Sequence, residues 1–398
     1  AQCITPNEIK QWWSKRSSLD LRLKTLLSDV QEWFGGFKGI LSGQRNESLD
    51  DLKKFCDQLN ELVHKIVIKV SIKKAKVEFS LHFCRIILEL GQSPSPKELE
   101  DVVNFVLSCY EEHSIYIGFD QVGNEITHGL TSLISSYHNN SGRKGINTKK
   151  SMPNDHVILI LDKYMQTLPM ENIPILRKQA VSRLPCLSFL RDRILYAQSK
   201  KFTEGKNLSR EQNHGNDLHI SKKNTFYVLN PSGDLVHTQK EFENLFKSYE
   251  DWNGISGTAP IELQCKDALQ SKDLYMYFGH SAGQSFLRGT TVRNLSKCAV
   301  SLLMGCSSGK MESNGEYDPH GYILNYLVAG SPAVVGNLWD VTDRSIDELT
   351  KHMLEKWGVL DKSKGKSLVQ AVMESRDKSN LKYLIGAAPV VYGVPVYL

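Results

Sequence analysis

The chain has 398 residues, 40% of them hydrophobic and 23% charged, with a net charge of +5. That is ordinary globular composition with room for two or three separately cored domains. The small positive surplus argues against nucleic-acid binding unless the charge is clustered, and no apolar run reaches the ~18 residues of a membrane-spanning helix.

The first residues, Ala1-Gln2-Cys3-Ile4-Thr5, carry neither an initiator Met nor a signal-peptide pattern. The expectation is a piece cut from a longer protein. Cysteines stand at Cys3, Cys56, Cys84, Cys109, Cys186, Cys265, Cys298 and Cys306, with no C-x-x-C among them. This argues against a structural zinc site, and no metal or cofactor is expected. Several of these thiols fall inside apolar periodic runs, the usual setting of a reduced buried Cys, so the expected compartment is intracellular and reducing.

In chain order, the first part reads as helices. One is expected from Leu19 to Phe34, stopping at Gly35-Gly36. Ser48-Leu49-Asp50-Asp51 reads as a capped start. After it, Leu52, Phe55, Leu59, Leu62 and Ile66 recur every three or four residues, an apolar helical stripe. Val77, Leu81, Cys84 and Leu88 continue such a stripe to Gly91. Ser95-Pro96-Lys97-Glu98 combines an N-cap, Pro at the first helical position and a capping-box Glu, and opens a helix carrying Leu99, Val102, Val103, Val106 and Tyr110. Lys65, Lys69, Lys73, Lys74 and Lys76 read first as a solvated basic face and second as a groove for an acidic partner.

Residues 138–156 are polar and punctuated by Gly, which predicts a linker. The pattern then changes. Val157–Leu161 is a continuous apolar run of the kind found in buried parallel strands. Phe226–Leu229, Leu274–Phe278, Ala299–Met304, Ala333–Val335 and Val390–Val394 follow, with helical stretches such as Gln239–Tyr249 and Gly321–Val328 between. The expected fold is α/β: a mostly parallel sheet flanked by helices over 151–398, preceded by an all-helical subdomain over 1–150, with a polar insertion near 198–224.

Two of these strands end in reactive groups. Leu274–Phe278 stops at Gly279-His280, and Ala299–Met304 stops at Gly305-Cys306. As neighbouring parallel strands joined by the crossover 281–298, they release an imidazole and a thiol at the carboxyl edge of one sheet, where such folds bind ligands. The chemistry this suits is attack by Cys306 on a peptide carbonyl. His280 then transfers a proton, at least to the leaving amine. Backbone N–H groups of Ser281 and Cys306 are the expected oxyanion donors. Taken singly, a Cys after a strand is commonly an inert core thiol and a His beside Gly a turn residue; the matched endings favour the catalytic reading.

Gly279-His280-Ser281-Ala282-Gly283 is also a literal G-x-S-x-G after a strand, which offers Ser281 as the nucleophile of a serine hydrolase. That reading needs a substantial helix behind the serine and a downstream His. Gly289 interrupts the first, and only His320 and His352 follow. Gly365-Lys366-Ser367 lacks the upstream Gly of a P-loop, and no G-x-G-x-x-G, H-E-x-x-H or EF-hand loop occurs.

Several segments resemble the catalytic region of the separase family. They include Leu303-Met304-Gly305-Cys306-Ser307-Ser308-Gly309, Asn325–Gly330 and Val335-Gly336-Asn337-Leu338-Trp339-Asp340-Val341-Thr342-Asp343. Upstream, Leu161–Glu171, Ser182-Arg183-Leu184-Pro185 and Leu229-Asn230-Pro231-Ser232-Gly233-Asp234-Leu235 belong to the same pattern, as does Ala387–Gly393 near the end. The match is collinear over roughly 155–398. The resemblance implies a caspase-like fold and a cysteine endopeptidase, with Cys306 as nucleophile and His280 as its partner. It implies cleavage of the kleisin subunit of cohesin after an Arg in a Glu-x-x-Arg context, releasing sister chromatids at anaphase. It also implies inhibition by securin as a pseudosubstrate, and a nuclear and cytoplasmic, spindle-associated location. An Arg before the scissile bond calls for a buried acid. The candidates are Asp347 first, then Asp343, then Asp340, each of which could instead cap or decorate the following helix. Ser281 stands where the clan usually has Gly. A catalytically silent scaffold of the same fold is the non-enzyme alternative.

Overall fold

The computed structural model describes residues 5–43, 48–73, 76–143, 155–203, 218–360 and 366–398. The chain forms two compact units: residues 1–26, 156–172 and 180–398 in one, and 27–155 with 173–179 in the other. This does not coincide with a cut at residue 150. The helix expected from Leu19 begins earlier: α1 runs Pro6–Glu32 and is divided between the units. Its Asp20 Oδ1 accepts from the backbone N–H groups of Tyr383 and Leu384, which ties the first residues to the sheet-bearing unit.

The helical unit contains α2 (Leu49–Val70), α3 (Leu81–Leu88), α4 (Pro96–Glu111) and α5 (Phe119–Arg143). Ser48 caps α2 by accepting from Asp51 N–H, and Ser95 with Glu98 completes the capping box of α4. The apolar stripes meet in one core around Phe55, Leu59, Val63, Val102, Val106 and Ile126, with α5 against α2 and α4. Residues 76–80 form no helix. Asn60 Oδ1 accepts from Phe79 N–H at 2.8 Å and Cys56 Sγ donates to Phe79 O at 3.1 Å, so side chains of α2 supply the bonds that a helix there would have made for itself. Of the lysines on the basic stretch, Lys69 pairs with Glu125 and Lys76 with Glu78 at the surface, and Lys74 lies outside the described residues. The expected linker starts inside α5, and 144–154 lie outside the description.

The other unit is α/β. Its elements in order are β1 (Val157–Leu159), β2 (Val181–Arg183), α6 (Leu187–Thr203), β3 (Leu218–His219), β4 (Thr225–Leu229), α7 (Val236–Lys247), β5 (Asn253–Ser256), α8 (Glu262–Ser271), β6 (Leu274–Phe278), α9 (Gly289–Arg293), β7 (Val300–Leu303), β8 (Glu312–Asn314), β9 (Tyr317–His320), α10 (Ile323–Val328), β10 (Ala333–Asn337), α11 (Asp343–Trp357), α12 (Leu368–Ser375), β11 (Pro389–Gly393) and β12 (Val396–Tyr397). Of the expected polar insertion, 204–217 lie outside the description. Among the described residues the main sheet has eight strands in the order β1-β2-β11-β10-β7-β6-β4-β5. Every pair in it is parallel except β10 with β11.

β6, β7 and β10 are buried at every position. Helices therefore cover both faces, which explains why these strands read as continuous apolar runs instead of alternating. One face packs Phe242, Phe246, Leu349, Met353, Trp357 and Val372 of α7, α11 and α12. The other packs Cys265, Leu269, Val292, Tyr326 and Leu327 of α8, α9 and α10. The result is a three-layer helix–sheet–helix sandwich with its sequence-adjacent strands β6 and β7 side by side near the centre. Among the described residues no helix is long and apolar enough to cross a membrane.

Candidate active site

β4, β6 and β7 are parallel neighbours, so their carboxyl ends open on one edge. The loops leaving these three ends carry Asp234, His280 and Cys306.

The imidazole is placed by the exit from β6. A Cβ on Gly279 would lie 2.5 Å from Tyr277 Oη and 3.0 Å from Pro231 Cδ, so only Gly lets the chain turn there. Tyr277 Oη then donates to His280 O at 2.9 Å. His280 Nε2 meets Asp234 Oδ2 at 2.8 Å, with both side chains more than half exposed. That hydrogen bond holds the Asp234 carboxyl below its ordinary range.

The thiol is placed by the exit from β7. A Cβ on Gly305 would sit 1.9 Å from Ser281 O and 2.5 Å from Gly279 O. The His loop and the Cys loop thus touch backbone to backbone, and Gly at 305 is what allows it. Asn337, at the end of β10, ties the Cys loop down from the other side: Nδ2 donates to Gly305 O at 3.0 Å and its N–H to Ser308 Oγ at 3.0 Å. Gly309 N–H donates back to Asn337 O at 2.9 Å. Cys306 is half-buried and its Sγ donates to Val341 O at 3.1 Å. Among the described residues no hydrogen bond joins Cys306 to His280, and the backbone N–H groups of Ser281 and Cys306 have no protein acceptor. Ser281 is held at φ +51° and Ser307 at the same value, the left-handed region that L-residues rarely adopt.

His280 and Cys306 line a common cavity of about 270 Å³ together with Thr238, Ile346, Asp343 and Asp347. Asp347, one turn into α11, is 4% exposed. Burial pushes its carboxyl up to about 7, and the nearby charges of Asp343 and Glu241 add to the rise, against the lowering effect of Thr238 Oγ1, which donates to Asp347 Oδ2 at 2.7 Å. Asp343 is exposed, begins α11, and takes its own successor's N–H on Oδ1. Asp340 does not line the cavity. It accepts from Ser307 Oγ at 2.6 Å and so serves the turn after the thiol. The structure brings His280, Cys306, Asp343 and Asp347 together and leaves Asp340 outside.

The elbow reading of Ser281 finds no such assembly. Turns, not a helix, occupy residues 281–287. His320 faces Glu312 and His352 faces Glu355, and neither meets Ser281. Among the described residues no three His, Cys, Asp or Glu side chains gather as metal ligands.

Two residues in this environment were given no role by the sequence. Asp234 follows β4 in an Asn-Pro-Ser-Gly-Asp turn, and Thr238 is on the first turn of α7. The available signal was an apolar strand ending in Gly-Asp, which also marks any ordinary turn.

A mostly parallel, helix-covered sheet with a thiol and an imidazole at the ends of adjacent strands defines a caspase-like α/β protein. Comparison with known proteins narrows this. The profile of the family described as Separin, protease domain, matches residues 1–346. The chain is 37% identical to the separin of Emericella nidulans over 97% of its own length and 19% of that protein, and 34% identical to the separin of Schizosaccharomyces pombe over 97% and 20%. Its fold superposes on the crystal structure of the Saccharomyces cerevisiae separase–securin complex with a TM-score of 0.86 at 27% identity, covering 100% of this chain and 26% of that one. The chain belongs to the separin protease-domain family. It spans about a fifth of the length of the curated relatives it matches.

Proposed function

We propose that the chain is the catalytic part of a cysteine endopeptidase that cleaves after arginine. The observation that carries this is the single cavity into which Cys306, His280 and the buried Asp347 all open. Membership of the separin protease-domain family supports it.

In this reading the Cys306 sulfur, as thiolate, attacks the carbonyl carbon on the C-terminal side of the substrate Arg. An S–C bond forms while the carbonyl oxygen takes the negative charge, and the free N–H groups of Ser281 and Cys306 receive it. The C–N bond then breaks, and the imidazolium of His280 gives its proton to the departing amine. Because the thiol is held by Val341 O and the imidazole by Asp234 rather than by each other, His280 is available to the leaving group. Water hydrolyses the thioester. Asp347 receives the substrate guanidinium, an ion that can hold a carboxylate with two N–H groups at once; Asp343 at the mouth adds negative charge.

The proposed substrate is the kleisin subunit of cohesin, cut in a Glu-x-x-Arg context at anaphase. The proposed inhibitor is securin, lying in the same cavity as a pseudosubstrate; the structural neighbour is itself a separase–securin complex. The proposed location is nuclear, cytoplasmic and spindle-associated. The test is turnover of a Glu-x-x-Arg peptide by the protein and by Cys306→Ser, with covalent capture by an Arg acyloxymethyl ketone. Turnover is expected to vanish with the thiol and the adduct to map to Cys306. Activity persisting in Cys306→Ser would falsify the reading.

A further inference from the structure

We infer that Asp234 is a positioning residue for proton transfer by His280, fixing which ring nitrogen carries the proton and where the ring points. The inference rests on the cysteine-peptidase reading above and adds a third strand-end loop to it.

Three observations support it. The contact is specific: Asp234 Oδ2 lies 2.8 Å from His280 Nε2, across 46 residues of sequence. A carboxylate only accepts, so in the neutral ring Nε2 carries the hydrogen and Nδ1 is the nitrogen left for exchange with the reacting groups. The carboxylate is also not free to wander. Asn230, buried and held at φ +51°, ties the turn at both ends: its N–H donates to Phe278 O at 2.8 Å and its Oδ1 accepts from Leu235 N–H at 2.9 Å. Its Nδ2 donates to Gln239 Oε1 at 2.7 Å on α7, and Gly233, at φ +77°, donates its N–H to Asn230 O at 3.1 Å. Asp234 sits between these anchored points, in the loop that leaves β4, the strand next to the one that delivers His280. Lastly, the His loop is braced separately by Tyr277 Oη on His280 O, so the backbone is set by one contact and the ring by the other. Since both side chains of the pair are more than half exposed, solvent and salt screen their charge attraction. What remains is geometry: a chosen tautomer and a chosen ring orientation.

The proton in question goes to the leaving amine, so the residue matters where the leaving group is poor. An alkylamine cannot depart unprotonated; a nitrophenolate can. The test compares Asp234→Ala, Asp234→Asn and the unaltered full-length protein on two substrates with the same Arg-terminated acyl part, one a peptide amide and one a 4-nitrophenyl ester. Active sites are counted by titration with an Arg acyloxymethyl ketone, so that any loss of folded protein is removed from the rates. For Asp234→Ala the kcat for the amide is expected to fall by about 10- to 100-fold, a fraction of what general acid catalysis supplies, with KM within about twofold. The burst rate on the ester should stay within about twofold, and Asp234→Asn, which still presents an acceptor oxygen, should recover part of the amide rate. Equal losses on amide and ester, or no loss on either, would overturn the assignment. Absence of any Cys306-dependent turnover in the unaltered protein would instead overturn the peptidase reading itself.

Discussion

Asp347→Asn is the substitution that best separates a specificity acid from an ordinary buried one. The side chain is 4% exposed, and among the described residues the hydrogen bond it takes is from the Thr238 hydroxyl at 2.7 Å. Burial lifts the carboxyl from an ordinary 3.8 to about 7. Each tenfold change in a protonation equilibrium is worth ~1.4 kcal/mol, so the fold opposes the charged form by at most ~4 kcal/mol. The sign follows from linkage. With the folded value above the unfolded one, the folded state holds the proton more tightly. Stability from this group is full below about pH 4, falls as pH rises toward 7, and is level above that. Asparagine has the same shape, accepts from Thr238 and carries no charge. The variant should therefore melt several degrees above the wild type at pH 8 and close to it near pH 4, taking about 2 °C per kcal/mol for a protein of this size.

Substrate behaviour should move the other way. A guanidinium facing an amide in place of a carboxylate loses ~2–5 kcal/mol, so kcat/KM for an Arg peptide should fall by about 30-fold or more. A citrulline peptide, neutral but alike in shape, should lose little. The wild-type KM for Arg should worsen by about tenfold per pH unit below 7, because the pocket must lose its proton to take the cation, whereas the variant's KM should be flat. Thermal melts at the two pH values and the two-peptide comparison give four readings. An Asn variant that turns over Arg peptides within about threefold of wild type, or that is less stable at pH 8, refutes Asp347 as the reader of the cation.

Other outcomes are expected from neighbouring positions. Thr238→Val removes the one hydrogen bond that lowers the Asp347 value, so the pH at which the KM for Arg peptides breaks should move up; an unmoved break would detach Thr238 from the pocket. Gly305→Ala forces a Cβ to within 1.9 Å of Ser281 O, driving the His and Cys loops apart, and should cost at least ~100-fold in turnover while the circular dichroism of the sheet is retained. Ser281→Gly removes an L-residue from φ +51° and should raise stability by up to ~1 kcal/mol, read as a higher melting temperature; a fall of that size would show the serine side chain holding the turn. Asn337→Leu keeps the backbone bond to Ser308 but removes the Nδ2 bond that holds Gly305 O, and should cost ~1–3 kcal/mol, with slower alkylation of Cys306 as the local sign.

The parts of this molecule that were legible in the sequence are those whose cause is local. Helical periodicity and caps placed α2 and α4, because side chains at Ser48 and Ser95 meet backbone donors only three residues away. Continuous apolar runs marked β6, β7 and β10, because helices cover both sides of each. The placement of the two candidate residues was legible in the same degree: His280 and Cys306 each leave the end of a strand directly. Asp234 and Thr238 were not, since their nearness to His280 and Asp347 comes from sheet order, with β4 beside β6, and from α7 lying against α11, neither of which leaves a trace in spacing. β5 was missed because an edge strand of Asn253–Ser256 has no fully buried position and therefore no apolar signature. The three aspartates show the limit most clearly. Asp340, Asp343 and Asp347 look alike in sequence, and tertiary depth sorts them: Asp343 and Asp347 share one face of α11, but Asp343 starts the helix at the exposed end, Asp347 is one turn deeper and buried, and Asp340 precedes the helix and is taken by Ser307.

Backbone conformation connects the loops that this chemistry needs. Among the described residues four that are not glycine have positive φ, and three of them follow the strands that end at the candidate site: Asn230 after β4, Ser281 after β6 and Ser307 after β7, each at +51°. Such a conformation costs an L-residue roughly 1–3 kcal/mol and persists only where surroundings over-determine it. Here they do. Asn230 is held through both backbone and side chain, Ser307 by Trp339 O on its N–H and Asp340 on its hydroxyl, and Ser281 by the Cys loop pressing on its carbonyl. The strain therefore falls beside the groups whose separation must be fixed, and the bonds that sustain it run between the loops. A substitution that relaxes one loop should be felt by the other two, which makes non-additive losses on combining Asp234→Ala, Gly305→Ala and Asn337→Leu the expectation of this arrangement, measurable as a coupling of at least ~0.5 kcal/mol in any pair of them.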